Sequence, residues 1–224
     1  CKWATNLQDH IVYSLPVDIR HELLGACLLL PLAETDIRAP ISTSISTSDA
    51  TPTRAGVTFA GVSQSFSIGL YEHAEHKGKH TRLDFSDAAE ALDPWDKLEL
   101  PPILRETMAC TNWRVDQTFE FISIDHVNIQ EARASRAALK SHCRSNRNSE
   151  IVSNGIDSNV CLGAFGKGRS SAHRLNNVLR SCMAWSVLGN KRLLQFRLVS
   201  EENPYDDPSR DKPLRLPQVP VGVV

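Results

Sequence analysis

Apolar and polar residues alternate through Ile41-Ser-Thr-Ser-Ile-Ser-Thr-Ser-Asp49, a run rich in β-branched side chains that predicts a strand ending at Asp49. Thr51-Pro-Thr-Arg-Ala-Gly56 supplies turn residues, and Val57-Thr-Phe-Ala-Gly-Val62 predicts the returning partner strand. Thr118-Phe-Glu-Phe-Ile-Ser-Ile124 reads as a third strand. From Ile129 to about Arg144 the apolar positions recur at helical spacing and alanines abound, with Asn128 as the expected cap and Glu131 in the first turn. Glu150-Ile-Val-Ser-Asn-Gly-Ile156 predicts a short strand ending at Asp157. Residues 158–165 and 170–188 predict helices split by Gly166-Lys-Gly168, with Leu179, Trp185 and Leu188 as core. Lys191 to Val199 alternates again as a final strand. Strands interleaved with helices in this order predict an α/β fold: a mixed five-stranded sheet flanked by helices, with a long insertion at 63–117 between the second and third strands. Residues 1–40 read as a lead-in carrying one helical stretch, 41–210 as the domain, and 211–224 as a Pro-rich tail that trails off.

The chain has 224 residues, enough for one sizeable core. A 41% hydrophobic and 23% charged composition is that of an ordinary globular protein. The longest apolar run, Leu23 to Leu32, is shorter than a membrane span and lacks a signal-peptide cleavage pattern, so no membrane partner is expected. Six dispersed cysteines without a Cys-x-x-Cys pair indicate neither a disulfide framework nor a zinc cluster. That usage fits a reducing interior, cytoplasm or nucleus, rather than secretion. The start at Cys1 rather than Met fits a piece of a longer polyprotein-like product.

Net charge is −1, yet the charge is unevenly spread. Arg133 to Arg197 holds twelve Lys or Arg against only Glu150 and Asp157, whereas Leu83 to Glu106 holds seven acids against Lys97 and Arg105. A basic half can grip a phosphate backbone while the whole molecule stays near neutral; a solvated helix face beside an acidic loop has the same composition.

Four acids stand in separate predicted elements: Asp49, Glu131, Asp157 and Asp206. Carboxylates that converge from separate elements form an all-oxygen cage suited to Mg²⁺. Taken singly each has an ordinary role: Asp49 as a turn residue, Glu131 as a carboxylate favoured by the helix dipole, Asp157 as an N-cap, Asp206 and Asp207 as loop acids. Their surrounding words change that balance. Thr47-Ser-Asp49-Ala-Thr-Pro with Gly56, His126-Val-Asn-Ile-Gln-Glu131-Ala-Arg-Ala, Asp157 leading into Ala164-Phe-Gly-Lys-Gly-Arg-Ser-Ser171 and Leu175-Asn176, and Asn203-Pro-Tyr-Asp206-Asp-Pro-Ser-Arg210 together resemble the ribonuclease H domain of retrotransposon reverse transcriptases. The likeness covers residues 47–62 and 118–210.

The resemblance implies a hydrolase that cuts the RNA strand of an RNA–DNA hybrid, with two Mg²⁺ ions (or Mn²⁺) held by Asp49, Glu131, Asp157 and Asp206. It implies an upstream polymerase region in the same polyprotein, to which residues 1–40 would be the joining tail. Asp206 rather than Asp207 is the implied ligand, because it lies three residues after Asn203. Where the family often carries a His and a Gly before that Asn, this chain has Val199-Ser-Glu-Glu202. Two alternatives stay open: a catalytically decayed nucleic-acid-binding module of the same fold, and a DNA-directed nuclease or integrase of the same superfamily. For substrate contact, Lys167, Arg169, Ser170, Arg174, Asn176 and Arg180 form a candidate track of cations and amides. The Gly-Lys-Gly segment lacks the full phosphate-loop pattern and is not read as nucleotide-binding. His73, His76, His80 and Cys110 do not have the spacing of a closed zinc site.

Overall fold

A computed structural model describes residues 10–32, 34, 36–76, 100–146 and 148–219. It divides into two compact units, residues 1–37 and 38–224. The first contributes one described helix, α1 (Val17–Leu29), followed by a 3₁₀ turn at Leu30–Leu32. None of the residues of α1 is buried, and Leu23, Leu24, Leu28 and Leu29 are exposed. No described helix is long and apolar enough to cross a membrane.

The second unit is the α/β body. Its described elements run β1 (Ser44–Ala50), β2 (Arg54–Gly61), α2 (Gln64–Glu72), α3 (Pro102–Cys110), β3 (Arg114–Glu120), α4 (Val127–Ser145), β4 (Glu150–Ile156), α5 (Asn159–Lys167), α6 (His173–Gly189), β5 (Lys191–Arg197) and a single-turn α7 (Asp206–Ser209). The strands form a mixed five-stranded sheet in the order β3-β2-β1-β4-β5. β1, β2 and β3 pair antiparallel, whereas β4 runs parallel to both β1 and β5. This is the expected fold class, and it is consistent with a ribonuclease H-like fold.

Two apolar layers sandwich the sheet. On one face α4, α5 and α6 bring together Ile129, Leu139, Leu162, Leu175 and Leu179 with Ile156 of β4. On the other, α2 and α3 bring Phe66, Leu70, Met108 and Trp113 against Ile45, Ile151 and Phe196. The stretch read from sequence as an insertion therefore supplies, in its described parts, a layer of the core; residues 77–99, with His80, lie outside the described residues. Ser63 caps α2 by accepting from the Phe66 N–H at 3.3 Å, and Pro101-Pro102 open α3, where a missing N–H is harmless.

Several boundaries differ from the sequence expectation. β3 lies at 114–120 rather than 118–124, because its mostly exposed edge position makes apolar content a poor guide to pairing. His126, not Asn128, caps α4, its ring accepting from the Asn128 N–H at 3.3 Å, so Glu131 falls in the second turn. Leu179 is core, Trp185 is partly buried against it, and Leu188 is 82% exposed. The tail does not trail off at once: Leu214 packs on the α2/α3 layer, and the Gln218 N–H donates to the Ala109 carbonyl at 2.9 Å.

Where α4 crosses β1, both surfaces carry small side chains. Ala134 meets Ala50 and Ala55, and the Ser48 and Ser135 hydroxyls lie 3.4 Å apart. Small residues on both sides let the helix approach the strand closely. A buried polar network fills the seam: Ser46 donates to Asn154 Oδ1 at 2.8 Å, His142 Nε2 sits 3.1 Å from Ser46 Oγ, and Asn154 Nδ2 reaches Ser48 Oγ and Gln195 Oε1 at 3.0 and 2.8 Å. Buried hydrogen bonds of this kind help to fix register across a sheet interior, here with Gln195 Nε2 left without a partner.

Candidate metal centre

Asp49 is the penultimate residue of β1, Asp157 follows β4 directly, and Glu131 projects from α4 toward the same end of the sheet. β1 and β4 are parallel neighbours, so their carboxyl ends present both acids to one point. Carboxylate oxygens of Asp49, Glu131 and Asp157 all lie within 4.8 Å of one another. Asp49 and Glu131 are buried, Asp157 half-buried.

Each carboxylate is partly oriented by the protein. The Ala50 N–H donates to Glu131 Oε1 at 3.2 Å, while Glu131 Oε2 is buried with no hydrogen-bond partner. The Ser200 hydroxyl donates to Asp157 Oδ2 at 2.6 Å. Burial pushes the Asp49 carboxyl up to about 6, with Asp157 and Asp206 adding to it and a hydrogen bond from Ser209 opposing it. Burial, then the neighbouring Asp49 and Asp157, push Glu131 up to about 9. For Asp49 and Glu131, held out of water beside other carboxylates, ionisation is costly unless a cation joins them. A buried oxygen left without a donor has the chemistry of a ligand atom, so the trio fits a hard divalent ion.

Asp206 reaches the neighbourhood by a different route. The Asn203 side chain donates to the Ser48 carbonyl at 3.0 Å, and Asn203 Oδ1 accepts from the Tyr205 N–H at 3.1 Å. Tyr205 is fully buried, its hydroxyl donating to Thr118 Oγ1 at 2.8 Å. Its ring lies across Gly56, where an added Cβ would come within 1.9 Å of ring atoms. Gly56 is thus a docking surface for the Asn-Pro-Tyr segment rather than a turn residue. The docked segment sets Asp206 at the start of α7, close enough to act on Asp49, but its carboxylate is ion-paired to Arg210 at 2.8 Å and stands outside the tight trio. Asp207 instead pairs with Arg215 at 2.8 Å.

The candidate nucleic-acid residues cluster on α5, α6 and their connection. Lys167 closes α5, Gly168 caps it at φ 66°, and Arg169 is exposed. Ser170 and Asn176 are engaged with one another, N–H to Oδ1 at 2.7 Å and Nδ2 to carbonyl at 2.6 Å, and so clip this loop. Arg174 is two-thirds exposed yet ion-paired to the buried Asp125, which also holds Arg133 at 2.7 Å. Arg180 is exposed on α6. His73 Nδ1 and His76 Nε2 donate locally, to the Gly69 and Tyr71 carbonyls at 2.9 and 2.8 Å, and belong to no metal-binding group among the described residues.

The Ser200 and Ser209 hydroxyls that touch Asp157 and Asp49 carried no sequence signal, since serine in a loop is commonplace. No family model, curated protein or solved structure matches the chain.

Proposed function

We propose that this chain is a ribonuclease H-like endonuclease domain of a retroelement reverse transcriptase, a metal-dependent phosphodiester hydrolase acting on the RNA strand of RNA–DNA hybrids. The observation that carries the proposal is the convergence of Asp49, Glu131 and Asp157, from β1, α4 and the end of β4, on one point within 4.8 Å. Asp49, Glu131 and Asp157 would hold Mg²⁺ (Mn²⁺ as substitute), with Asp206 beside them. Divalent ions bound there supply the positive charge that stabilises attacking and leaving oxygens in phosphodiester displacement. The protein's own part is placement. The Ala50 N–H and the Ser200 hydroxyl each fix one oxygen of a carboxylate, and the second Glu131 oxygen is buried without a donor. Lys167, Arg169, Arg174 and Arg180 would meet the hybrid backbone, and RNA would be told from DNA by its 2′-hydroxyls and the hybrid's shape.

A labelled hybrid incubated with Mg²⁺ tests the proposal: cleavage of the RNA strand is expected, and an Asp49→Asn, Asp157→Asn double variant should lose it. Wild-type protein no more active than that variant removes the enzymatic claim. One observation favours the second reading, a binding module that no longer cuts: Asp206 is neutralised by Arg210. Salt-sensitive hybrid binding, without cleavage and indifferent to the carboxylate substitutions, would establish that reading instead.

A further inference from the structure

Behind the helix that carries Glu131 lies a second surface of different chemistry. Glu131, Ser135, Ala138 and His142 turn toward the sheet, and Arg133, Arg136, Lys140 and Arg144 occupy the opposite face of α4, about one cation per helical turn. These cations form one wall of a groove of about 500 Å³. The facing wall is the end of β3 and the chain beyond it, where Phe119, Phe121 and the fully exposed Ile122 supply apolar surface. Phe119 and Phe121 pack edge to face at 5.6 Å, and the Arg133 guanidinium lies 5.9 Å from the Phe121 ring centre.

The positive charge here is uncompensated. Arg133 is neutralised by Asp125, but Arg136, Lys140 and Arg144 have no ion-pair partner among the described residues. Glu120, an acid on the groove, faces Arg54 at 3.8 Å, and Asp116 accepts from Ser141 at 2.6 Å. The Lys140 ammonium and the Arg144 guanidinium lie over the Trp185 ring of α6, 5.2 and 6.0 Å from its centre, which fixes where these charges stand while both side chains line the groove. Desolvation, and then the neighbouring Arg136 and Arg144, hold the Lys140 amine below its ordinary range, a sign of like charges held together.

An acidic peptide would satisfy the cations but make no use of the aromatic wall. Single-stranded nucleic acid uses both, with phosphates on the cationic side and unstacked bases on the aromatic and aliphatic side. We infer that the groove between the outer face of α4 and the β3–α4 connection is a binding site for single-stranded nucleic acid, separate from the carboxylate centre and independent of its activity.

The test is fluorescence anisotropy with labelled oligo-dT of about 20 residues, titrated with the full chain across a salt series. Arg136→Gln, Lys140→Gln should weaken binding about tenfold or more at low salt and reduce the salt slope by about 1.4, roughly 0.7 for each cation removed. Phe121→Ala should weaken binding without changing that slope. Asp49→Asn, Asp157→Asn should bind as wild type, so a failure of the nuclease proposal leaves this inference standing. An unchanged affinity and slope in the Arg136/Lys140 variant, with its thermal midpoint unaltered, overturns the inference. Binding of poly-glutamate in place of oligo-dT overturns it as well.

Discussion

Replacing Glu131 by Gln should stabilise the cation-free protein at alkaline pH while removing its response to Mg²⁺. Glu131 is held up to about 9 in the folded chain, against 4.5 for the free side chain. Across that window the folded form keeps a proton that the unfolded form has lost, so stability falls as pH rises and levels off above the folded value. One such group costs about 1.4 kcal/mol per pH unit. Asp49 has the same sign but is spent by about 6. His142 has the opposite sign: burial holds it down to about 3, so its contribution is complete above the ordinary histidine range and is lost only as pH falls. From about pH 7 to about pH 8 the slope is therefore dominated by Glu131, and amounts to about 1.4 kcal/mol; the Cys161 and Cys182 thiols, pushed up by burial to about 12, add the same sign only as pH enters the ordinary thiol range, and do so in wild type and variant alike. Urea unfolding in chelator, followed by tryptophan fluorescence, should show wild type losing that stability and Glu131→Gln keeping it. Gln retains an oxygen to accept from the Ala50 N–H, so the comparison isolates the charge. Mg²⁺ should flatten the wild-type slope by taking the proton's place and leave the variant little changed. Equal slopes for wild type and variant in chelator would refute the crowded-carboxylate argument.

Further perturbations probe the supports of the centre. Gly56→Ala forces the buried Tyr205 ring off β2; loss of the packed ring should cost about 3 kcal/mol in unfolding and lower hybrid cleavage at least as much as Asp206→Asn does, read in the same two assays. Arg210→Ala frees the Asp206 carboxylate and should tighten divalent-ion binding in calorimetry; weaker binding would mean that Asp206 acts only through its ion pair. The Lys191 ammonium is enclosed by Asn146 Oδ1, the Asn148 carbonyl and Glu150 Oε2 at 2.5, 2.6 and 3.1 Å. Lys191→Met strands those acceptors, so a loss of about 3 kcal/mol is expected in denaturant titration.

The strands that carry the carboxylates Asp49 and Asp157 were legible because their patterns are local. β4 begins and ends where alternation and Asp157 place it, and β1 differs from expectation only at its ends. Edge strand β3 was displaced by four residues because exposed edges lack an apolar face to read. α2 and α3, within the stretch read as an insertion, were not legible as helices: neither is long, and their partners, Ile45, Ile151 and Phe196, lie far along the chain. The same limit applies to the site. Motif order pointed to Asp49, Glu131 and Asp157, yet nothing local distinguishes the paired state of Asp206, the hydroxyls of Ser200 and Ser209, or the ring of Tyr205 on Gly56. The cations of α4 were visible as composition; their alignment opposite Glu131 required the helix register, and their uncompensated state required the fold.

The metal centre is most directly tested by anomalous scattering from crystals of the protein soaked in Mn²⁺. Density between Asp49, Glu131 and Asp157 that disappears in Asp49→Asn crystals is the predicted result. A map with no peak among these three carboxylates at millimolar Mn²⁺, or with manganese bound only elsewhere, would contradict it.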